Sequence, residues 1–127
     1  MSHKVLISAS YKDRDLARDL ARRLKKAGVH STYSELALSP GSEYEKTFMN
    51  LLKDADEMVL ILSSHSVDNL WMMFETGAAS SLRKKITPVV VGLAKQELPP
   101  VIKQLKYITY DKLSDYIANI ERLAQAA

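Results

Sequence analysis

Met58-Val59-Leu60-Ile61-Leu62 is a run of five apolar residues, preceded by Glu57 and followed by Ser63-Ser64. A strand with one wet face alternates polar and apolar residues. A run apolar on both faces belongs instead in the middle of a parallel sheet, with helices covering either side. The segments on both flanks supply those layers.

Working back towards the start, Lys4 to Ser8 (KVLIS) reads as a first short strand. Leu16, Ala17, Leu20, Ala21, Leu24 and Ala27 then recur at helical spacing until Gly28 stops them. Val29, Ser31 and Tyr33 alternate on a second strand, followed by a loop closing on Pro40-Gly41. Ser42 with Glu45 three residues later forms a capping-box pattern. Tyr44, Phe48, Leu51, Leu52 and Ala55 give the next helix its apolar face.

Working forward, Trp71 to Leu82 predicts a helix rich in small residues (Gly77, Ala78, Ala79, Ser80, Ser81), which would allow close packing on a neighbour. Ile86 to Val91 is a fourth strand. A Pro99-Pro100 loop with one helical turn leads to a fifth strand over Tyr107 to Tyr110, and Leu113, Ile117, Ile120 and Leu123 mark a last helix. Strands alternating with helices require parallel pairing through right-handed crossovers. The predicted architecture is a flavodoxin-like three-layer α/β sandwich with a five-stranded parallel sheet in the order 2-1-3-4-5.

The chain has 127 residues, 46% hydrophobic and 26% charged, the size and balance of one domain over residues 1–127. With no cysteine there is no disulfide framework, thiolate metal site or cysteine nucleophile, which suits a reducing, cytoplasmic setting. No run approaches the ~20 apolar residues that span a bilayer, and strand-like sequence starts too early for a signal peptide, so no membrane role is expected. The net charge of +3 is spread among interleaved acids and bases, which does not imply nucleic acid.

In a sheet of this order, ligands bind beyond the carboxyl ends of the strands, where the order reverses between the first and third strands. The segments meeting there are Ser8-Ala9-Ser10-Tyr11, the loop Ser34 to Gly41, Ser63-Ser64-His65-Ser66 and the start of the Trp71 helix. A receiver domain would need acidic residues at these strand ends, and the chain has serines. Neither G-x-G-x-x-G nor G-x-x-x-x-G-K-[ST] occurs, so dinucleotide-redox and P-loop phosphate cradles are missing. His3, His30 and His65 are scattered, and no metal is expected.

A phosphate could rest on amides at the start of the first helix, where Ser8, Ala9 and Ser10 permit close approach. Tyr11, Tyr33 and Trp71 offer flat surfaces for a nucleobase or nicotinamide ring, although Trp71 reads equally well as core. Glu75 follows Trp71 by four positions and shares its helix face, with Phe74 and Ala78 flanking. The ordinary reading of such a glutamate is a solvated helix residue. Leu36 and Leu38, with Pro40 and Gly41, are expected to form a mobile loop that mediates self-association, because those leucines have no core face.

Several of these segments together resemble the TIR (Toll/interleukin-1 receptor-like) family. Val5-Leu6-Ile7-Ser8 with Asp13 resembles its opening strand and following acidic position. Tyr33-Ser34-Glu35 with Leu38-Ser39-Pro40-Gly41 resembles its second loop, and Ala55-Asp56 before Met58 to Ser63 its central strand. Ser66 to Glu75 (SVDNLWMMFE) resembles its Trp-x-x-x-Glu signature. Departures are Ala9 where an aromatic is common, Ser34 where Asp is common, and Met72 where Cys often follows the Trp.

The resemblance implies that Glu75 matches the catalytic glutamate of bacterial TIR domains that hydrolyse or cyclise NAD, many in antiphage defence. NAD would be a substrate, with no further cofactor, and Ser64 would add a neutral contact beside the site. Control would come through self-association and a sensor domain in cis or trans. Other members of the family are non-enzymatic adaptors. A nucleoside deoxyribosyltransferase-like enzyme, which also uses a glutamate on an open α/β sheet, is a further alternative.

Overall fold

The computed structural model describes residues 3–35 and 42–126. Five strands, β1 (Lys4–Ala9), β2 (His30–Glu35), β3 (Glu57–Leu62), β4 (Lys85–Val90) and β5 (Ile108–Thr109), form one sheet in the order β2-β1-β3-β4-β5. Every pairing is parallel. All six residues of β3 are buried, as a run apolar on both faces requires.

Among the described residues, five α-helices cover the sheet: α1 (Arg14–Lys26), α2 (Ser42–Asp54), α3 (Leu70–Ser81), α4 (Pro100–Lys103) and α5 (Leu113–Ala126). Strand parity sorts the core into two layers. Val5, Ile7 and Ala9 of β1 pack with Leu20 and Leu24 of α1 and Ile120 of α5 on one face. On the other, Leu6 packs with Phe48 and Leu52 of α2 and Ala79 of α3, while Leu60 and Leu62 meet Met72 and Ile102 of α3 and α4. Among the described residues, no helix is long and apolar enough to cross a membrane.

Gly28 ends α1 as its position in the sequence predicts. Its φ is +80°, its N–H donates to Lys25 O at 3.0 Å, and Val29 N–H donates to Leu24 O at 2.9 Å. This pair of bonds satisfies carbonyls that the helix leaves without partners and points the chain into β2.

The small residues of α3 divide: Ala79 packs in the core, whereas Gly77 does not pack closely. A Cβ added at Gly77 would meet nothing within 4 Å, so this glycine does not bring α3 against a neighbour. An open groove of about 490 Å³ runs alongside instead, lined in part by Met73, Gly77, Ile86 and Leu105. The fifth strand is two residues long rather than four, because Tyr110 already begins a 3-10 turn. α2 begins at Ser42.

Glu57, at the amino end of β3, is fully buried. Tyr116 of α5 donates to its Oε2 at 2.8 Å, Thr87 of β4 donates to the same oxygen at 3.0 Å, and His3 Nε2 lies 2.7 Å from Oε1. Burial first and the nearby carboxylate second push the Tyr116 phenol up, so it stays protonated as a donor. Tyr116→Phe deletes one donor to a buried carboxylate and is expected to cost about 2 kcal/mol. A urea midpoint equal to that of the wild type would show that this bond contributes nothing.

Candidate functional site

The carboxyl ends of β1 and β3 meet the start of α3 where the strand order reverses, and Glu75 lies there. Asn69 starts α3 by accepting the Trp71 N–H on Oδ1 at 2.8 Å. This sets the helix phase so that Met72, Glu75, Thr76 and Ala79 turn towards the sheet. Glu75 is therefore not a solvated helix residue but fully buried, with 0% of its surface exposed.

Two hydroxyls hold the carboxylate. Ser8 of β1 donates to Oε1, and Tyr44 of α2 donates to Oε2. Burial pushes the Glu75 pKa up to about 7, against the opposing pull of the Ser8 and Tyr44 hydrogen bonds. Desolvation thus outweighs two donors that favour the anion.

An aromatic group surrounds this pair. The Trp71 and Tyr44 rings meet edge to face with centroids 5.8 Å apart, and Trp71 meets Phe74 in the same way at 5.7 Å. Phe48 lies 6.4 Å from Tyr44 and 6.1 Å from Phe74. Trp71 is half-buried, so it both packs on the core and borders the solvent rim.

The other anticipated residues fall elsewhere. Ala9 is fully buried on the α1 and α5 face, opposite to Ser8. Tyr33 pairs in register with Ile7 and so projects to that same opposite face, whereas Ser34 pairs with Ser8 and is buried on the Glu75 side. Burial, then Glu35, push the Tyr33 phenol up to about 12. Tyr11 is exposed, with the Arg14 guanidinium 4.0 Å above its ring. Ser64 is exposed in the turn after β3, as is His65.

The amides proposed as a phosphate seat are already engaged. Lys12 N–H donates to Ser10 Oγ at 3.3 Å, Asp13 N–H donates to Ser10 O at 2.9 Å, and Arg14 N–H donates to Tyr11 O. Asp13 itself is buried, and Ser63 donates to its Oδ2 at 2.5 Å, tying the end of β3 to the start of α1. Leu36, Leu38, Pro40 and Gly41 lie outside the described residues. Among the described residues, no group of three His, Cys, Asp or Glu side chains could hold a metal.

Tyr44 is the site residue that sequence reasoning missed. Its position on the apolar stripe of α2 accounts for its ring but not its hydroxyl. The available signal was a tyrosine at the amino end of a helix predicted to cover the sheet, since a buried phenol needs a partner.

The family model for the TIR domain matches residues 5–124. Among solved structures, the TIR-STING receptor of C. gigas is 23% identical with a TM-score of 0.69, over 91% of this chain and 39% of that one. The present chain thus spans well under half of that receptor. The TIR domain of the Toll-related receptor TRR-2 of Hydra magnipapillata is 17% identical with a TM-score of 0.75, over 95% of this chain and 97% of that one. The CMP N-glycosidase BcmB of Clostridium botulinum is also 17% identical, with a TM-score of 0.61 over 91% of this chain and 98% of that one. At such identities the likeness is one of fold. No curated protein matches the chain.

Proposed function

The chain belongs to the TIR domain family, and from that premise we propose that it cleaves the nicotinamide–ribose bond of NAD. The observation that carries this reading is a fully buried carboxylate, Glu75, at the strand-order reversal, with Trp71 one turn before it on the same helix.

One carboxylate suffices for this bond. Nicotinamide is cationic in NAD and leaves as a neutral molecule, taking the electron pair of the C–N bond, so no acid has to protonate it. The second carboxyl group of an ordinary glycosidase is not needed for departure. What remains is an oxocarbenium-like ribose, which the Glu75 anion stabilises by charge and by accepting hydrogen bonds from ribose hydroxyls. Trp71 provides a ring surface for the departing nicotinamide. Water captures the ribose to give ADP-ribose and a proton, or an adenine nitrogen captures it to give a cyclic product.

Only the anion can act this way, and burial holds Glu75 up to about 7. Nicotinamide release is therefore expected to rise as pH climbs through neutrality and to level off in mildly alkaline buffer. The test is chromatography of NAD incubated with purified, concentrated protein across that range, with CMP in parallel. A flat profile would remove Glu75 from the role described. Cleavage of CMP alone would favour a nucleotide N-glycosidase, the reaction printed for one protein of this fold. Cleavage of neither would favour the adaptor reading. Self-association of copies, with a sensor domain in cis or trans, would set when the activity appears.

A further inference from the structure

We propose that Tyr44 is a latch on this site, occupying the Glu75 oxygen that a substrate ribose has to take. The inference rests on the reading of Glu75 as the group that meets ribose. It starts from a conflict in the geometry: a carboxylate that serves a ribose needs an accessible oxygen, yet Glu75 has no exposed surface and a donor on each oxygen.

The two donors are not equivalent. Ser8 sits within β1, paired on one side with Ser34 of β2 and on the other with Leu60 of β3, so moving it would disturb the sheet. Tyr44 sits in the first turns of α2, on a side chain whose hydroxyl can leave by a change of χ1 rotamer that does not disturb the sheet. Of the two oxygens, Oε2 is thus the one a ligand can win.

Tyr44 also holds the second functional surface. Its ring packs edge-on against Trp71, the indole that would receive nicotinamide. One side chain thereby engages both the charge and the ring, and displacing it frees both together. The ribose hydroxyl then replaces the phenol as donor to Oε2, exchanging one hydrogen bond for another, while Ser8 keeps Oε1 oriented. The Ser8 and Tyr44 hydroxyls are thus the contacts on the two carboxylate oxygens that a ligand meets.

The test is Tyr44→Phe, which keeps the ring against Trp71 and Phe48 and deletes the donor. Steady-state nicotinamide release by concentrated protein from excess NAD, in alkaline buffer above the Glu75 titration of both proteins, should show KM falling several-fold with kcat retained, because substrate no longer competes with the phenol. A fall in kcat at unchanged KM would overturn the latch and make Tyr44 a residue that positions the carboxylate during turnover. A second measurement does not depend on cleavage: carbon NMR of the Glu75 carboxyl in both proteins. Loss of a donor to the anion should move its titration upward in the variant. Identical titrations would mean that Tyr44 does not hold Oε2, which also overturns the latch. If neither protein cleaves NAD but the titrations differ, the contact stands and the NAD reading fails.

Discussion

Glu75→Gln is expected to lower nicotinamide release from NAD by about 10³-fold while leaving the fold intact. The amide preserves size and can still accept from Ser8 on its oxygen, and its NH₂ can donate to the Tyr44 oxygen in place of the present bond. What disappears is the negative charge opposite a cationic transition state. Removing one preorganised electrostatic contact commonly costs ~10²–10³ in rate, about 3–4 kcal/mol, and the loss of a full charge belongs at the upper end. Burial strengthens the expectation, since no water competes with the carboxylate where it is fully enclosed. Ser64→Ala should change the rate far less, because that hydroxyl is exposed in the turn after β3. The measurement is release at equal protein concentration, with circular dichroism confirming folded samples. Undiminished release by the glutamine variant would place the chemistry on another residue.

The layers and strand order were legible because β3 is apolar on both faces and helical and strand periods alternate cleanly on either side. Glu75 was legible by its place on the helix behind the strand-order reversal, although its burial was not. The helix phase that turns it inward depends on where Asn69 caps α3, a boundary one or two residues from any estimate made by periodicity. Strand parity separates Ala9 from Ser8, and grouping them as one surface overlooked that period of two. The face taken by Tyr33 follows from the β1–β2 register, Ile7 opposite Tyr33, and register between distant segments is set by packing that a single sequence does not print. The Tyr44 hydroxyl was hidden for a related reason: an amphipathic stripe reports which side of α2 is buried, not which polar atom waits across the gap.

The same substitution should make the protein more stable in mildly alkaline buffer, by up to about 3 kcal/mol. Burial raises the Glu75 pKa from 4.5 to about 7. In acid below the unfolded value, both states hold the proton and ionisation imposes no cost on folding. As pH rises between the two values, the unfolded chain releases its proton while the folded chain keeps it, so stability falls. Above the folded value the loss is complete, and each unit of difference corresponds to about 1.4 kcal/mol, which sets the upper figure. Glutamine has no proton to release and escapes the whole effect. The variant should therefore unfold several degrees above the wild type in mildly alkaline buffer. The difference should shrink to little or nothing in acid, where the wild-type side chain is a neutral carboxylic acid. Thermal melts at the two pH values check this, read together with the activity assay. A variant less stable than the wild type in alkali would mean that the Ser8 and Tyr44 bonds to the anion outweigh its desolvation. The expected opposite result, a gain in stability alongside a loss of rate, is what a carboxylate kept in an unfavourable place for chemistry should give.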